Sequence, residues 1–388
     1  MDMLCEGKGI VGTSGELWKD QRKFAVNTLR ELGMASSAAE EKIHQELNFL
    51  LKAFEDEGSK DFDCKHLILN AMCNIICGLC FGKRQYEYND PRFIKLIGAV
   101  EMMASDMGNS NMVDLFPAVR LLPGDFFNYK RLVKNVTVLK KEVARHAEDR
   151  VNNFDADNVE DFATAFLKEV RGSKQEGKAF DESHLHMILT DFFAPGTFDV
   201  GNSLNWSLLY LLHYPEVQEK CFQLIKEHIG LERLPTMMDK PNLPYVEAVY
   251  AEVLRHADAV PTGMPYTVPH NVQFMGYTIP EGVTILPVLN SVLHDPVAWG
   301  DLRNFRPDRF LNDEGKFQKR EEFVPFSLGR RACLGQSLVR MEQFLILTTL
   351  IQRFKLVPPS GTLAPLTGIM GLAHTAPHFK CKVIPRNI

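Results

Sequence analysis

The sequence predicts a mainly α protein with a small β region late in the chain. Three observations carry that reading. Apolar residues recur at helical spacing through residues 16–150 and again in several later stretches. Strand-like alternation is confined to "NVQFMGYTIPEGVTILPV" and a Pro/Gly-rich tail. No strand–helix alternation and no glycine-rich phosphate loop occurs, which excludes the nucleotide-binding α/β folds.

Taken in order, the early helices show their apolar faces in "LNFLLKAF", "MCNIICGLCFG" and "FIKLIGAVEMM". The second of these is apolar all round, as a core helix is. Its Cys73, Cys77 and Cys80 share one face. They read as small buried hydrophobes rather than as a metal cluster. "FPAVRLLPGDFF", with two prolines, reads as a loop. A long helix is expected over residues 182–214, roughly 45 Å at 1.5 Å per residue. Pro195 and Gly196 lie in its middle, where a proline removes a backbone hydrogen bond and kinks the helix. "PEVQEKCFQLIKEHIG" follows, closed by Gly230. "YVEAVYAEVLRHA" precedes the β region, in which Pro280, Glu281 and Gly282 are expected to turn a hairpin. "LVRMEQFLILTTLIQRF" is the last helix.

The chain has 388 residues, 45% of them hydrophobic, which is ample for a large core. No linker, repeat or low-complexity block divides it, so residues 1–388 are expected to form a single domain. A net charge of −5 gives no reason to expect a nucleic-acid partner. Eight cysteines without a secretory signal argue for a reducing compartment. The longest apolar run outside the β region, "SLNWSLLYLLHY", is too short to span a bilayer, so the chain as written is expected to carry no anchor.

The chemistry concentrates in "FVPFSLGRRACLGQSL". Cys333 stands between Gly329 and Gly335, beside Arg330 and Arg331, at the start of a helix near Gln336. The positive helix end and the arginines are expected to favour its thiolate. Such a thiolate suits a nucleophile, a zinc ligand or a haem ligand. Zinc needs further ligands, and no Cys or His lies within motif spacing. A nucleophile needs a base from elsewhere in the fold.

The ten residues "FSLGRRACLG" satisfy Phe-x-x-Gly-x-Arg-x-Cys-x-Gly through Phe326, Gly329, Arg331, Cys333 and Gly335. This resembles the haem-binding loop of the cytochrome P-450 family, the haem-thiolate monooxygenases. "AEVLR", with Glu252 and Arg255 three apart, and "FRPDRF", with Arg309, resemble the family's Glu-x-x-Arg and Phe-x-Pro-x-Arg-Phe stretches. "LWKDQRKF" resembles its Trp/Arg helix, and the likeness to the animal microsomal family-2-like branch runs over residues 12–386.

The resemblance implies haem b, with Cys333 as the axial iron ligand and Phe326 shielding the sulfur. It implies that Trp18, Arg22 and Arg331 hold haem propionates, with Tyr266 where this branch often has a histidine. It implies that Glu252, Arg255 and Arg309 form a buried structural cluster. An apolar substrate would be met by Phe193, Val260 and Leu372. Electrons would come from an NADPH-cytochrome P-450 reductase, with cytochrome b5 as a further donor. The reductase, an acidic flavoprotein, would dock at Lys19, Arg22, Lys23, Arg30, Arg330 and Arg340. The implied location is the endoplasmic reticulum membrane, which the full-length form would contact.

Two departures stand out. The family's anchor, proline hinge, first helices and most of its first sheet have no counterpart before the Trp18 helix, so the chain reads as a partial gene model or a truncated product. The family's oxygen-activation pattern, Ala/Gly-Gly-x-Asp/Glu-Thr-Thr, falls on Pro195, Gly196, Thr197, Phe198, Asp199 and Val200. Gly196, Thr197 and Asp199 are its candidate catalytic residues. Phe198 takes the acid's place and Asp199 the alcohol's. A reductase-independent isomerase or dehydratase and a non-catalytic haem-binding remnant are the alternatives to a monooxygenase.

Overall fold

Helix after helix is started by residues that satisfy free backbone amides. The computed structural model describes residues 5–34, 36–116, 118, 124–172 and 181–386. Helix α1 is Gly15–Glu31, α2 is Ser37–Glu57, α3 is Lys65–Phe81 and α4 is Pro91–Leu115. Helix α5 is Tyr129–Asn152, α6 is Phe162–Gly172 and α7 is Glu182–His213. Helices α8 (Pro215–His228) and α9 (Pro244–Ala257) each begin on a proline, whose missing N–H costs nothing there. The Ser36 hydroxyl accepts from the Ala38 amide, and Asp181 accepts from Ser183 at 2.7 Å. Half of the proline-bearing stretch 116–127, residues 117 and 119–123, lies outside the described residues.

Helices α3 and α7 form the centre. Both are buried nearly all round, and their backbones approach closely because two glycines of α7 face α3. A β-carbon on Gly196 would come within 2.9 Å of Ile76, and one on Gly201 within 2.6 Å of Leu69. Helix α7 runs unbroken through Pro195. The core reading of Cys73, Cys77 and Cys80 holds, because all three thiols are fully buried.

The β region differs from expectation in one turn. The hairpin of β2 (Val272–Phe274) and β3 (Tyr277–Ile279) closes at Met275 and Gly276, not at Pro280–Gly282. Both turn residues have positive φ, 49° and 85°, as a two-residue hairpin turn of matching twist requires. The Pro280 turn instead sends β4 (Thr284–Ile285) back to β1 (Tyr266–Thr267), with Tyr266 opposite Ile285. Short helices α10 (Leu289–Leu293) and α11 (Pro296–Trp299) follow. Helix α12, Gln336–Arg353, runs into β5 (Phe354–Val357). Strand β5 pairs antiparallel with β8 (Lys382–Pro385), and β6 (Ile369–Met370) with β7 (His374–Thr375). No helix of the described residues is long and apolar enough to cross a membrane.

Candidate active site

The cysteine loop is shaped by its own backbone before any ligand is considered. Ser327 and Gly329 take positive φ, and the Cys333 amide donates to the Phe326 carbonyl at 2.9 Å. That bond closes the loop and delivers Cys333 to the N-terminus of α12. The amides of Gly335 and Gln336 turn toward its sulfur.

Cys333 is solvent-accessible, and burial is nonetheless the largest influence on its thiol. The expectation of a favoured thiolate is corrected here. Burial pushes the thiol's pKa up, and Asp199 pushes it the same way. The two amides and Arg22 pull it down without prevailing. Arg330, expected to help, points outward.

Helix α1 brings two groups to the loop. Arg22 donates to the Ala332 carbonyl at 2.6 Å, beside the cysteine. Trp18 lies under Arg331, whose guanidinium carbon is 3.9 Å from its ring centroid. Tyr266 joins from β1, close enough to act electrostatically on both Arg22 and Arg331. Trp18, Arg22, Tyr266, Arg331 and Cys333, read separately from the sequence, are thus brought together.

Helix α7 carries Asp199, the acid whose charge the Cys333 thiol feels. Burial raises the Asp199 carboxyl to about 7. Gly196 turns toward Ile76 and serves helix packing. Thr197 is fully buried, with an unpartnered hydroxyl, and Phe198 is core. Phe193, expected at the substrate, is wholly buried, whereas Val260 and Leu372 are half-buried. A separate recess between α9 and α12, lined by Val246, Tyr250, Phe344 and Arg340, contains none of the groups around Cys333.

One contributor escaped sequence reasoning. Asp191 on α7 accepts the amides of Ile10 at 2.6 Å and Val11 at 3.0 Å. The same stretch gives its Ile10 and Thr13 carbonyls to Arg331, at 3.3 and 2.8 Å. Gly9 permits the approach, since a β-carbon there would meet Asp191 at 2.4 Å. Only the glycines at 7, 9 and 12 hinted at it.

Beneath the loop, Glu252 on α9 receives Arg255 at 2.8 and 2.9 Å and Arg309 at 2.9 Å. Glu252 and Arg255 are fully buried. The surplus positive charge is spread over the carbonyls of Leu293, Trp299, Asp301 and Asn304. The expected cluster is therefore present as a closed network.

A helical fold that presents one accessible thiol on a tight loop, ringed by arginines, defines the haem-thiolate class. A family model described as Cytochrome P450 matches residues 2–383. The chain is 36% identical to Cytochrome P450 2U1 of Homo sapiens over 385 residues, 97% of this chain and 70% of that protein. It is 36% identical to Cytochrome P450 2C3 of Oryctolagus cuniculus over 360 residues, covering 92% and 73% respectively. Cytochrome P450 2K4 of Oncorhynchus mykiss is 35% identical over 388 residues, covering 97% and 76%. The chain belongs to the cytochrome P450 family. It is a monooxygenase, an oxidoreductase of the family that binds haem iron through a cysteine thiolate.

The residues present fit that group. Trp18 Nε1 is buried without a partner, a donor awaiting an acceptor. Gly335 has ordinary φ, −83°, and a β-carbon there would meet nothing nearer than Val339 at 4.0 Å. No protein neighbour demands a glycine at 335, whereas a flat ligand lying against the loop would.

Proposed function

We propose that Cys333 is the thiolate ligand of the haem and that this chain inserts one oxygen atom into an apolar organic substrate. The observation that carries the reading is the convergence of Arg22, Arg331 and Trp18 on the loop of one accessible thiol. Arg22, Arg331 and Trp18 Nε1 would hold the propionates, with the Tyr266 hydroxyl as a further donor. Phe326 would cover the sulfur. When bound, a thiolate-ligated haem supplies electron density that favours O–O cleavage. Asp199 would hold a proton on the opposite side of the site.

Electrons would come from an NADPH-dependent reductase, with cytochrome b5 as a second donor. Lys19, Lys23, Arg30 and Arg330 are exposed, and a basic face of that kind steers an acidic flavoprotein. Membrane contact and an endoplasmic reticulum location accord with this donor. The replacement of the acid-alcohol pair by Phe198 and Asp199 favours a second reading, a haem-thiolate isomerase or dehydratase that needs no reductase.

The test is the spectrum of the reduced protein under carbon monoxide. The thiolate-type band is expected in the wild type and not in Cys333→Ser. NADPH consumption with product, on adding reductase, is expected from the monooxygenase and not from the isomerase.

A further inference from the structure

The recess between α9 and α12 has apolar walls, Phe323, Phe344 and Leu347 among them, yet two polar atoms of its lining residues have no partner. One is the hydroxyl of Tyr250, a residue only 8% exposed. The other is Oε1 of the wholly buried Gln343. The Gln343 amide is fixed in that orientation. Its Nε2 donates to the Ser203 hydroxyl, which spends its own proton on the Val200 carbonyl. A buried donor and a buried acceptor left open on one recess each carry a desolvation cost that a guest would relieve.

The charges around the recess select the guest. Three charged side chains line it, Lys240, Glu247 and Arg340. Lys240 and Glu247 neutralise each other at 2.9 Å. No ion pair among the described residues includes Arg340, whose neighbours are the neutral Gln336 amide and the Phe326 ring at 5.5 Å. Arg340 also acts electrostatically on the Tyr250 hydroxyl. Glu342 acts on it too, but burial raises that carboxyl to about 8, so it is mostly uncharged at neutral pH. The lining therefore carries one uncompensated positive charge. The cavity volume, about 20 Å3, exceeds the need of one water and falls far below that of a drug-sized ligand.

We propose that this recess binds a small monoanion that still carries a hydroxyl, an oxyanion of the bicarbonate class. One of its oxygens accepts from the Tyr250 hydroxyl and faces Arg340, and its O–H donates to Gln343 Oε1. A water would meet both orphan atoms and leave the charge. Formate or nitrate would meet the charge and has no proton for Gln343. The site stands independently of the haem reading. Its bearing on that reading runs through Arg340, named among the cations expected to meet the electron donor, because an occupied recess would neutralise it.

The test is equilibrium dialysis of the full haem-loaded chain against radiolabelled bicarbonate. Sealed cells are held at neutral pH, in a buffer whose own anion is too large for the recess. Saturable binding is expected, with formate and nitrate competing about tenfold more weakly or worse. Tyr250→Phe should weaken bicarbonate about tenfold or more, because a hydrogen bond to a charged guest is lost. Gln343→Met should erase the preference for bicarbonate over nitrate while anion binding persists. Arg340→Gln should weaken all three anions alike. The wild-type preference needs no variant, so it decides the matter even where a substitution prevents folding. Absence of saturable binding, which would leave the recess to water, overturns the inference. Equal affinity for bicarbonate and nitrate in the wild type, or undiminished binding in Tyr250→Phe, overturns it as well.

Discussion

The Arg331 guanidinium carbon stands 3.9 Å from the centroid of the Trp18 ring, joining the cysteine loop to the first helix across more than 300 residues of chain. A contact of this kind is worth about 0.5–2 kcal/mol. Trp18→Ala removes both the ring and the indole donor. It should lower haem retention on a desalting column and shift the unfolding midpoint down. Trp18→Phe keeps a ring and should fall between. Unchanged retention in both variants would show that Arg331 is held by the Ile10 and Thr13 carbonyls alone.

Cys333→Ala should leave the fold intact, because the thiol is solvent-accessible and forms no disulfide. The expected loss is confined to the thiolate-type band and to turnover. Circular dichroism should match the wild type. If the helical signal collapses as well, the loop has a structural weight that its accessible thiol does not suggest.

Glu252→Ala strands Arg255 and Arg309 in the core facing one another's charge. Removing one partner of a buried charge cluster costs about 3–5 kcal/mol. Little soluble protein is expected, and denaturant midpoints should show the deficit in whatever is recovered. Wild-type stability with selective loss of activity would contradict a structural role.

Buried carboxyls set a pH dependence of opposite sign to that of salt-bridged ones. Burial raises Glu342 to about 8, and Asp191 and Asp199 to about 7. Below the ordinary carboxyl range both folded and unfolded chains carry these protons, and the full benefit to the fold is present. As pH rises, the unfolded chain ionises first and gains. Stability therefore falls until pH passes the folded values. Unfolding of the haem-free protein should occur more readily at pH 8 than at pH 5. Glu342→Gln should flatten the slope, with its largest stabilising effect at the alkaline end. A parallel offset at both pH values would mean that Glu342 does not titrate between them.

The parts legible in the sequence are those whose partners lie close along the chain or carry a strong signature. Glu252 and Arg255 meet because three residues place them on one helical face. The loop around Cys333 is legible in its glycines, and its backbone has the expected shape. The parts that were not legible depend on distant surroundings. The proton affinity of Cys333 is not legible in the sequence, because local charge favours the thiolate whereas burial, a property of the whole fold, opposes it. Proline and glycine mark turns by type, which points to Pro280 rather than to the turn that closes β2 on β3. Met275 takes a positive φ, 49°, which its residue type does not announce. Asp191 was missed because its partners are main-chain amides 180 residues away, which no side-chain pattern announces.

The double tie of residues 9–13 has a consequence for how the site tolerates change. Amides face one wall and carbonyls the other, so every linking atom of this strut belongs to the main chain. The spacing between Asp191 and Arg331 along this stretch is set by the number of peptide units, not by which side chains they bear. Residues whose side chains point away can drift without altering that gauge, whereas a single insertion or deletion would reset it. The placement of Arg331 should therefore respond abruptly to length in this stretch and only weakly to composition.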